Sequence, residues 1–378
     1  MPPMRHPAPP PRSAPRRGAP PHRPAWLAAV VLAAVLGALA APGAAGARMA
    51  KGLQDVRMAF SGDPELRASF WRAAHAAKVT RVRVLVNWDG AQRTIDPGTA
   101  AVLRRTAEEG RDRAGARLLI GIYAPINRQR AKPRRITSSL VDAYASFAGS
   151  VARAMDGLPV AAFITWNEPN FRSMWPLNQP RRWVTLSNRG YAAYKRARPS
   201  VPVLVGEMAP NARTRNARNP GAFLREALCV TSRYRLRSRS ASCRGAKLRA
   251  DGFALHTHDF THPPTKRSRT RDAWTMGNLP YAMVELRRLA RAGRMPAKAA
   301  RNVHITEFAY RTRGSSRTPT SRAARYLRQA WSYAKRRNVR SFTWYQLRDP
   351  GTGHEWQSGL LTFGGQSRAT WRTFRGLR

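Results

Sequence analysis

Acidic side chains are scarce in this chain: 20 of its 378 residues are Asp or Glu, against 68 Lys or Arg, a formal net charge of +48. An imbalance of that size raises nucleic acid, or another anionic surface, as a partner. The arginines are nevertheless scattered through predicted helices and loops, and a helix-turn-helix, zinc-finger or RNA-binding signature is lacking. No specific nucleic-acid partner is expected. What the charge leaves open is adhesion to acidic cell-wall polymers or acidic glycans. Cysteine is equally sparse. Cys229 and Cys243 are the two present, and neither lies in a metal-binding or thiol-redox pattern. They flank an Arg- and Ser-rich loop, which a disulfide between them would close in an exported protein. Also missing are a Gly-rich nucleotide turn after an early strand and an internal repeat beyond strand–helix alternation.

The amino terminus is a separate matter. Residues 1–24 are rich in Pro and Arg and cannot build a core. An apolar run from Ala25 to Ala41 follows, and then Ala45-Gly46-Ala47, a small-x-small cleavage pattern. Residues 1–47 therefore read as a secretory signal peptide with an unusually long basic lead. The alternative is an uncleaved membrane anchor, for which the run is a little short of the roughly 20 residues a spanning helix needs. A lipid-modified cysteine is excluded, since no Cys lies near the site. Residues 48–378 are expected to form one secreted, monomeric catalytic domain.

Within that domain, short apolar runs alternate with stretches of helical periodicity. Strands are predicted at 52–56, 79–88, 117–123, 160–168, 201–207, 253–258, 302–310 and 340–347. Helices fall between them, at 63–78, 97–114, 139–155, 191–198, 279–292 and 320–337. Eight strands, each followed by a helical stretch and without a nucleotide turn, predict a closed (β/α)8 TIM barrel rather than a doubly wound sheet.

The fourth strand carries the chemistry. Val160-Ala161-Ala162-Phe163-Ile164 is an unbroken apolar run, as expected of a strand buried on both faces, and it ends in Thr165-Trp166-Asn167-Glu168-Pro169-Asn170. Pro169 can neither donate to a ladder nor prolong the strand, so Glu168 belongs at its carboxyl end. There it would sit beside apolar walls and Trp166, surroundings that suit a general acid. Alone, such a glutamate reads as a helix cap or a solvated charge. A second run, Val303-His304-Ile305-Thr306-Glu307-Phe308, delivers another glutamate at the end of another strand. Two carboxylates at the ends of strands in one barrel can converge over a single bond. One then donates a proton to a leaving oxygen while the other attacks as a nucleophile.

Trp166-Asn167-Glu168-Pro169-Asn170 and Thr306-Glu307-Phe308 resemble the acid/base and nucleophile motifs of clan A glycoside hydrolases, families 39 and 5 nearest among them. The resemblance runs from about Gly52 to the end of the chain. It implies a retaining glycosidase that acts on a carbohydrate substrate and needs no cofactor. Glu168 would be the acid/base, Glu307 the nucleophile, and Asn167 a hydrogen-bonding partner of the sugar 2-hydroxyl. The spacing from Arg83 to Trp88 is similar to the clan's second strand, where an Arg beneath the nucleophile keeps it ionised. His256-Thr257-His258 resembles the clan's His-x-Tyr, in which His binds substrate and Tyr bonds the nucleophile. His258 stands where the Tyr is expected, which puts the orientation of Glu307 in question. The clan's aromatic floor under the sugar falls on Trp344 or Tyr345, and the sequence leaves both open. Phe171, Trp175 and Trp183 offer rings either for sugar stacking or for packing.

Three competing assignments accompany this reading, the first a catalytically weak or inactive glycan- or polyanion-binding protein on the same barrel. Glu207, at the end of the fifth strand, is a third candidate for the chemistry, though its neighbours match no catalytic motif. His256 and His258 have the spacing of a metal pair, but the carboxylate and His partners such a site needs are not identifiable, and no metal is expected.

Overall fold

The computed structural model describes residues 48–124, 135–212, 215–351 and 356–378. The proposed leader, residues 1–47, lies outside the described residues. Eight parallel strands close into a barrel in sequence order, each hydrogen-bonded to the next and the eighth to the first. They are β1 (Ala50–Gln54), β2 (Arg81–Asn87), β3 (Arg117–Tyr123), β4 (Val160–Ile164), β5 (Val203–Met208), β6 (Gly252–His256), β7 (Val303–Phe308) and β8 (Ser341–Tyr345). The longer helices that cover them are α1 (Pro64–Ala76), α2 (Pro97–Ala114), α3 (Ser138–Ala154), α4 (Pro180–Ala197), α5 (Pro220–Ala227), α6 (Leu279–Arg291), α7 (Thr320–Lys335) and α8 (Ala369–Gly376). Among the described residues, no helix is long and apolar enough to cross a membrane.

Local chemistry sets where these helices begin. Asp63, Asp96 and Thr137 each accept a hydrogen bond from a backbone N–H in the first turn of α1, α2 and α3. Proline opens α1, α2, α4 and α5, where its missing N–H would have had no helical partner. The predicted first strand needs a correction. It spans Ala50–Gln54, and Val56 already begins a short helical turn to Ala59. The predicted fourth helix is longer than its periodicity suggested, because it starts at Pro180 and takes in Trp183.

Most of the apolar core lies between strands and helices. Inside the barrel the apolar plug is small: Leu119, Ala162, Ile164, Leu204 and Ala254. The rest of the interior, toward the carboxyl ends of the strands, is occupied by polar and charged side chains. Buried charge in a barrel interior needs partners, and in this one it marks the site.

Cys229 and Cys243 form a disulfide, with Cα atoms 5.3 Å apart, beyond the end of α5.

Candidate active site

Arg83 is the hub. It projects from the middle of β2 into the barrel and is fully buried. Its Nε and Nη2 donate to the two carboxylate oxygens of Glu207, at 2.7 and 2.5 Å. Nη1 donates to Glu307 Oε1 at 2.5 Å and to Gln54 Oε1 at 2.5 Å, and Nη2 reaches Asn167 Oδ1 at 2.9 Å. Only the planar five-donor fork of an arginine can hold four partners from four strand ends at once. Burial works against its charge, but Glu207 and Glu307 outweigh burial and hold its pKa above the ordinary value.

Glu207 reaches Arg83 because β5 is irregular at its end. Gly206 takes φ +113° and Glu207 φ +47°, and the pairing with β6 slips between Gly206 and Met208. That bulge turns the Glu207 side chain into the barrel. A Cβ at residue 206 would come within 2.5 Å of the Ala254 carbonyl oxygen, so glycine is the residue that fits. Glu207 is completely buried. Burial raises its pKa, and Arg83 and His256 overcome that and set it below the usual value. Locked face to face with Arg83 and fully buried, it is not the free carboxylate that the competing reading of the sequence required.

Glu307, near the end of β7, keeps 13% of its side chain exposed. Its Oε2 lies 3.4 Å from His258 Nε2 and 3.7 Å from His256 Nδ1. Burial pushes its pKa up, and the charges of His256 and Arg83, with the His258 hydrogen bond, hold it well below the carboxylate range. Where the resemblance leads us to expect a tyrosine, His258 presents a donor to Glu307. The Ala309 N–H donates to His258 Nδ1 at 3.2 Å, so that nitrogen is the unprotonated one and Nε2 carries the hydrogen facing Glu307.

Glu168 follows β4, with its backbone N–H on the Glu207 carbonyl at 3.0 Å. Its φ of +44° is unusual for a residue with a side chain, and such strain concentrates where a side chain must be aimed. The carboxylate is 21% exposed and stands 3.0 Å from His256 Nδ1. Its neighbour is thus an imidazole. Trp166, expected beside it, is instead buried against Trp88, Tyr144 and Trp175.

His256 joins the carboxylates. Fully buried at the end of β6, it faces Glu168 and Glu307 through Nδ1 and approaches Glu207 Oε1 to 3.7 Å through Nε2. Burial alone would lower its pKa, but the carboxylates Glu307, Glu168 and Glu207 push it up to about 10. At neutral pH it is an imidazolium, facing the side chains of Glu168, Glu207 and Glu307. Among the described residues, no group of three or more His, Cys, Asp or Glu is arranged to hold a metal ion.

The aromatic assignments divide. Tyr345, half-buried at the end of β8, faces the site: burial and then the charge of Glu307 raise its phenol pKa. Trp344 points the other way, onto Phe308, with its indole N–H on the Ser358 carbonyl at 3.0 Å. Adjacent strand residues face opposite sides, so one of the two had to be core. Trp88 is also corrected. It is buried among Tyr144, Phe147 and Trp166, and its N–H is spent on the Gln92 carbonyl. Trp175 and Trp183 are buried as well, and Phe171 is half-buried.

Sequence reasoning missed an aromatic wall. Trp356 packs edge-on against His258 at 5.3 Å, Phe260 at 4.8 Å and Tyr345 at 5.8 Å. Its place shortly after β8 was the available signal. Gln54, at the end of β1, was missed too, having no motif around it.

The site therefore comprises two partly exposed carboxylates at the carboxyl-terminal mouth of a (β/α)8 barrel, over a buried Arg–Glu–His support. No family model matches the chain, and neither does any curated protein. Solved structures do match. One is a family 39 glycoside hydrolase from the gut symbiont Bacteroides cellulosilyticus WH2: 18% identity, TM-score 0.60, covering 88% of this chain and 64% of that one. Another is the exo-β-1,4-mannosidase Op5Man5 from Opitutaceae bacterium strain TAV5: 13% identity, TM-score 0.58, covering 88% and 60%. A third is a GH5_18 protein from Streptomyces cattleya in complex with Manβ1-4GlcNAc: 16% identity, TM-score 0.58, covering 86% and 79%. This chain thus spans less than two thirds of the first two. At such identities the likeness establishes a shared barrel.

Proposed function

We propose that the protein is a retaining glycoside hydrolase in which Glu307 is the nucleophile and Glu168 the acid/base. One observation carries the reading: His256 Nδ1 is 3.0 Å from a Glu168 oxygen and 3.7 Å from a Glu307 oxygen. Those oxygens can be no farther apart than the sum of the two distances. That ceiling applies to one oxygen of each group and is compatible with the roughly 5–5.5 Å between the carboxyl groups of retaining enzymes. The barrels of similar fold that are named as glycoside hydrolases support the same class.

In the first step a Glu307 oxygen bonds to the anomeric carbon as the bond to the glycosidic oxygen breaks, and Glu168 gives that oxygen its proton. In the second, Glu168 takes a proton from water, the water oxygen bonds to the anomeric carbon, and the Glu307 ester bond breaks. Arg83, His256 and His258 keep Glu307 ionised for attack. Arg83 claims the Asn167 carbonyl oxygen, which leaves the amide NH2 end for the sugar 2-hydroxyl.

The test is a panel of aryl glycosides and cell-wall polysaccharides, followed by azide rescue. Azide should rescue Glu168→Ala with retention of anomeric configuration and Glu307→Ala with inversion. The opposite configurations would exchange the two roles, and sugar binding without turnover of any panel member would replace hydrolysis with glycan recognition. Export belongs to the same proposal and is supported by the leader's pattern and by the Cys229–Cys243 disulfide. Amino-terminal sequencing of protein from culture supernatant should begin near Arg48; an intact leader would reject cleavage.

A further inference from the structure

A cavity of about 980 Å³ lies between the amino-terminal half of α4 and the chain that follows α5 as far as residue 246. None of the residues that meet at the barrel mouth lines it. Four arginines do: Arg135, Arg181, Arg182 and Arg237. Its one carboxylate is Glu226, and Arg218 already holds that group. Among the described residues, none of the four arginines forms an ion pair. Arg181 donates instead to Ser242 Oγ at 3.2 Å, and Arg237 to the Val230 carbonyl at 2.8 Å. Arg135, Arg181 and Arg237 are exposed, and Arg182 is half-buried. Positive charge is spread over much of this protein, but here it lines a concavity. A cleft lined by one sign of charge over low-dielectric walls concentrates its field and draws in counter-charge.

The walls of this cavity are held in place. The Cys229–Cys243 disulfide, both halves of which line it, ties the far side of the loop to the end of α5. The buried Arg294 donates to the Cys243 and Arg244 carbonyls at 3.1 and 3.3 Å. Asn188, on α4, donates to the Lys247 carbonyl at 2.7 Å and accepts from the Arg249 N–H at 2.8 Å. Loop and helix therefore face each other without a ligand having to order them. Beside the arginines stand Asn178, Thr185, Ser238, Ser240 and Ser242, whose amides and hydroxyls both donate and accept, as sugar hydroxyls require. No aromatic ring lines the cavity, so it lacks the stacking platform on which single-stranded nucleic acid is bound.

We propose that this cavity binds an acidic polysaccharide. Its guanidinium groups pair with carboxylate or sulfate, and its hydroxyls and amides bond the ring hydroxyls. The site is separate from the barrel mouth and does not depend on the hydrolase reading. A polymer held here leaves the mouth free.

The experiment titrates polygalacturonate, dextran sulfate and neutral dextran into the wild type, Arg135→Gln/Arg181→Gln and Arg322→Gln/Arg336→Gln. The last pair removes the same charge from exposed positions in and just after α7. Wild type is expected to bind at least one acidic polymer and not dextran, with an affinity that falls as salt rises. The cavity pair should weaken that binding by about tenfold or more, the scale of two charge-assisted contacts. The α7 pair should weaken it by less than about twofold. Whichever acidic polymer the wild type holds more tightly identifies the oxyanion. Arg135→Gln alone leaves the Arg181–Ser242 bond in place, so it reads the site even where the cavity pair lowers the melting temperature. Equal losses in the two pairs would assign binding to net charge and overturn the site, as would binding of neither acidic polymer. A single-stranded oligonucleotide held more tightly than both polymers, and lost in the cavity pair, would replace the polysaccharide with nucleic acid.

Discussion

His256 and His304 sit on neighbouring strands, at opposite ends of the same barrel. His256, at the mouth, faces Glu168, Glu207 and Glu307, and its pKa is pushed up to about 10. His304, at the base, faces Ser341 Oγ at 2.9 Å and Asn302 Oδ1 at 3.2 Å. Burial, then the nearby charges of Arg81 and Arg340, pushes its pKa down. One imidazole is a cation at neutral pH and the other is neutral. The difference arises from neighbours brought by other strands. At the mouth the barrel encloses charge in a network with partly exposed edges. At its base it tolerates a polar ring only in neutral form. The mouth is where the chain departs from what packing alone would choose, as functional sites commonly do.

The largest expected effect is at the mouth. Glu307→Gln should cost on the order of 10⁴–10⁶-fold in kcat, the scale of losing a nucleophile, while the melting temperature holds or rises. A collapse in melting temperature to match would recast Glu307 as structural.

Next comes the support beneath it. Arg83→Met leaves Glu207 fully buried without its counter-charge and should destabilise the fold by about 3–5 kcal/mol. Adding Glu207→Leu should recover part of that loss in urea unfolding, since removal of both charges removes the uncompensated one. A double variant weaker than Arg83→Met would break the account.

The histidines themselves provide the finer comparison. His256 has a folded pKa above its unfolded one. Its stabilisation is therefore fully present below about pH 6.5 and lost as pH rises toward about 10. Melting temperatures measured over that interval should fall more steeply for wild type than for His256→Gln. Parallel curves would mean that His256 is not the imidazolium described.

The smallest effect belongs to the base. His304 has a folded pKa below its unfolded one, so wild type should lose stability as pH falls below about 6.5. His304→Gln should remove that slope. Its effect on kcat should be within about twofold, because His304 touches no site residue. A large loss of activity in this variant would erase the contrast between the two ends.

Much of this was legible in the chain itself. Apolar runs that stop at Pro, Gly or polar residues marked the strands, because a barrel strand buried on both faces has no alternative composition. Glu168 and Glu307 stood out because each follows such a run. Glu207 stood out for the same reason, and only the lack of a catalytic motif around it separated it from the other two. Its assignment to Arg83 depends on a bulge that slips the β5–β6 pairing. The aromatic residues were the weakest readings. Trp88, Trp175, Trp183 and Trp344 all proved to be core, while Trp356, which had drawn no attention, forms a wall of the site.

By itself, then, the sequence determined the alternation of strands and helices, the ends at which those strands release carboxylates, and the presence of an arginine that had to find partners. Those properties follow from hydrophobicity, proline and charge along a few consecutive residues. Closure of the barrel decided the rest: which side of β8 faces inward, which glutamate meets both ends of the Arg83 fork, and which histidine carries a proton. Each depends on the distance between atoms separated by tens to hundreds of residues, and electrostatic energies at those distances are fixed only once the strands are in register.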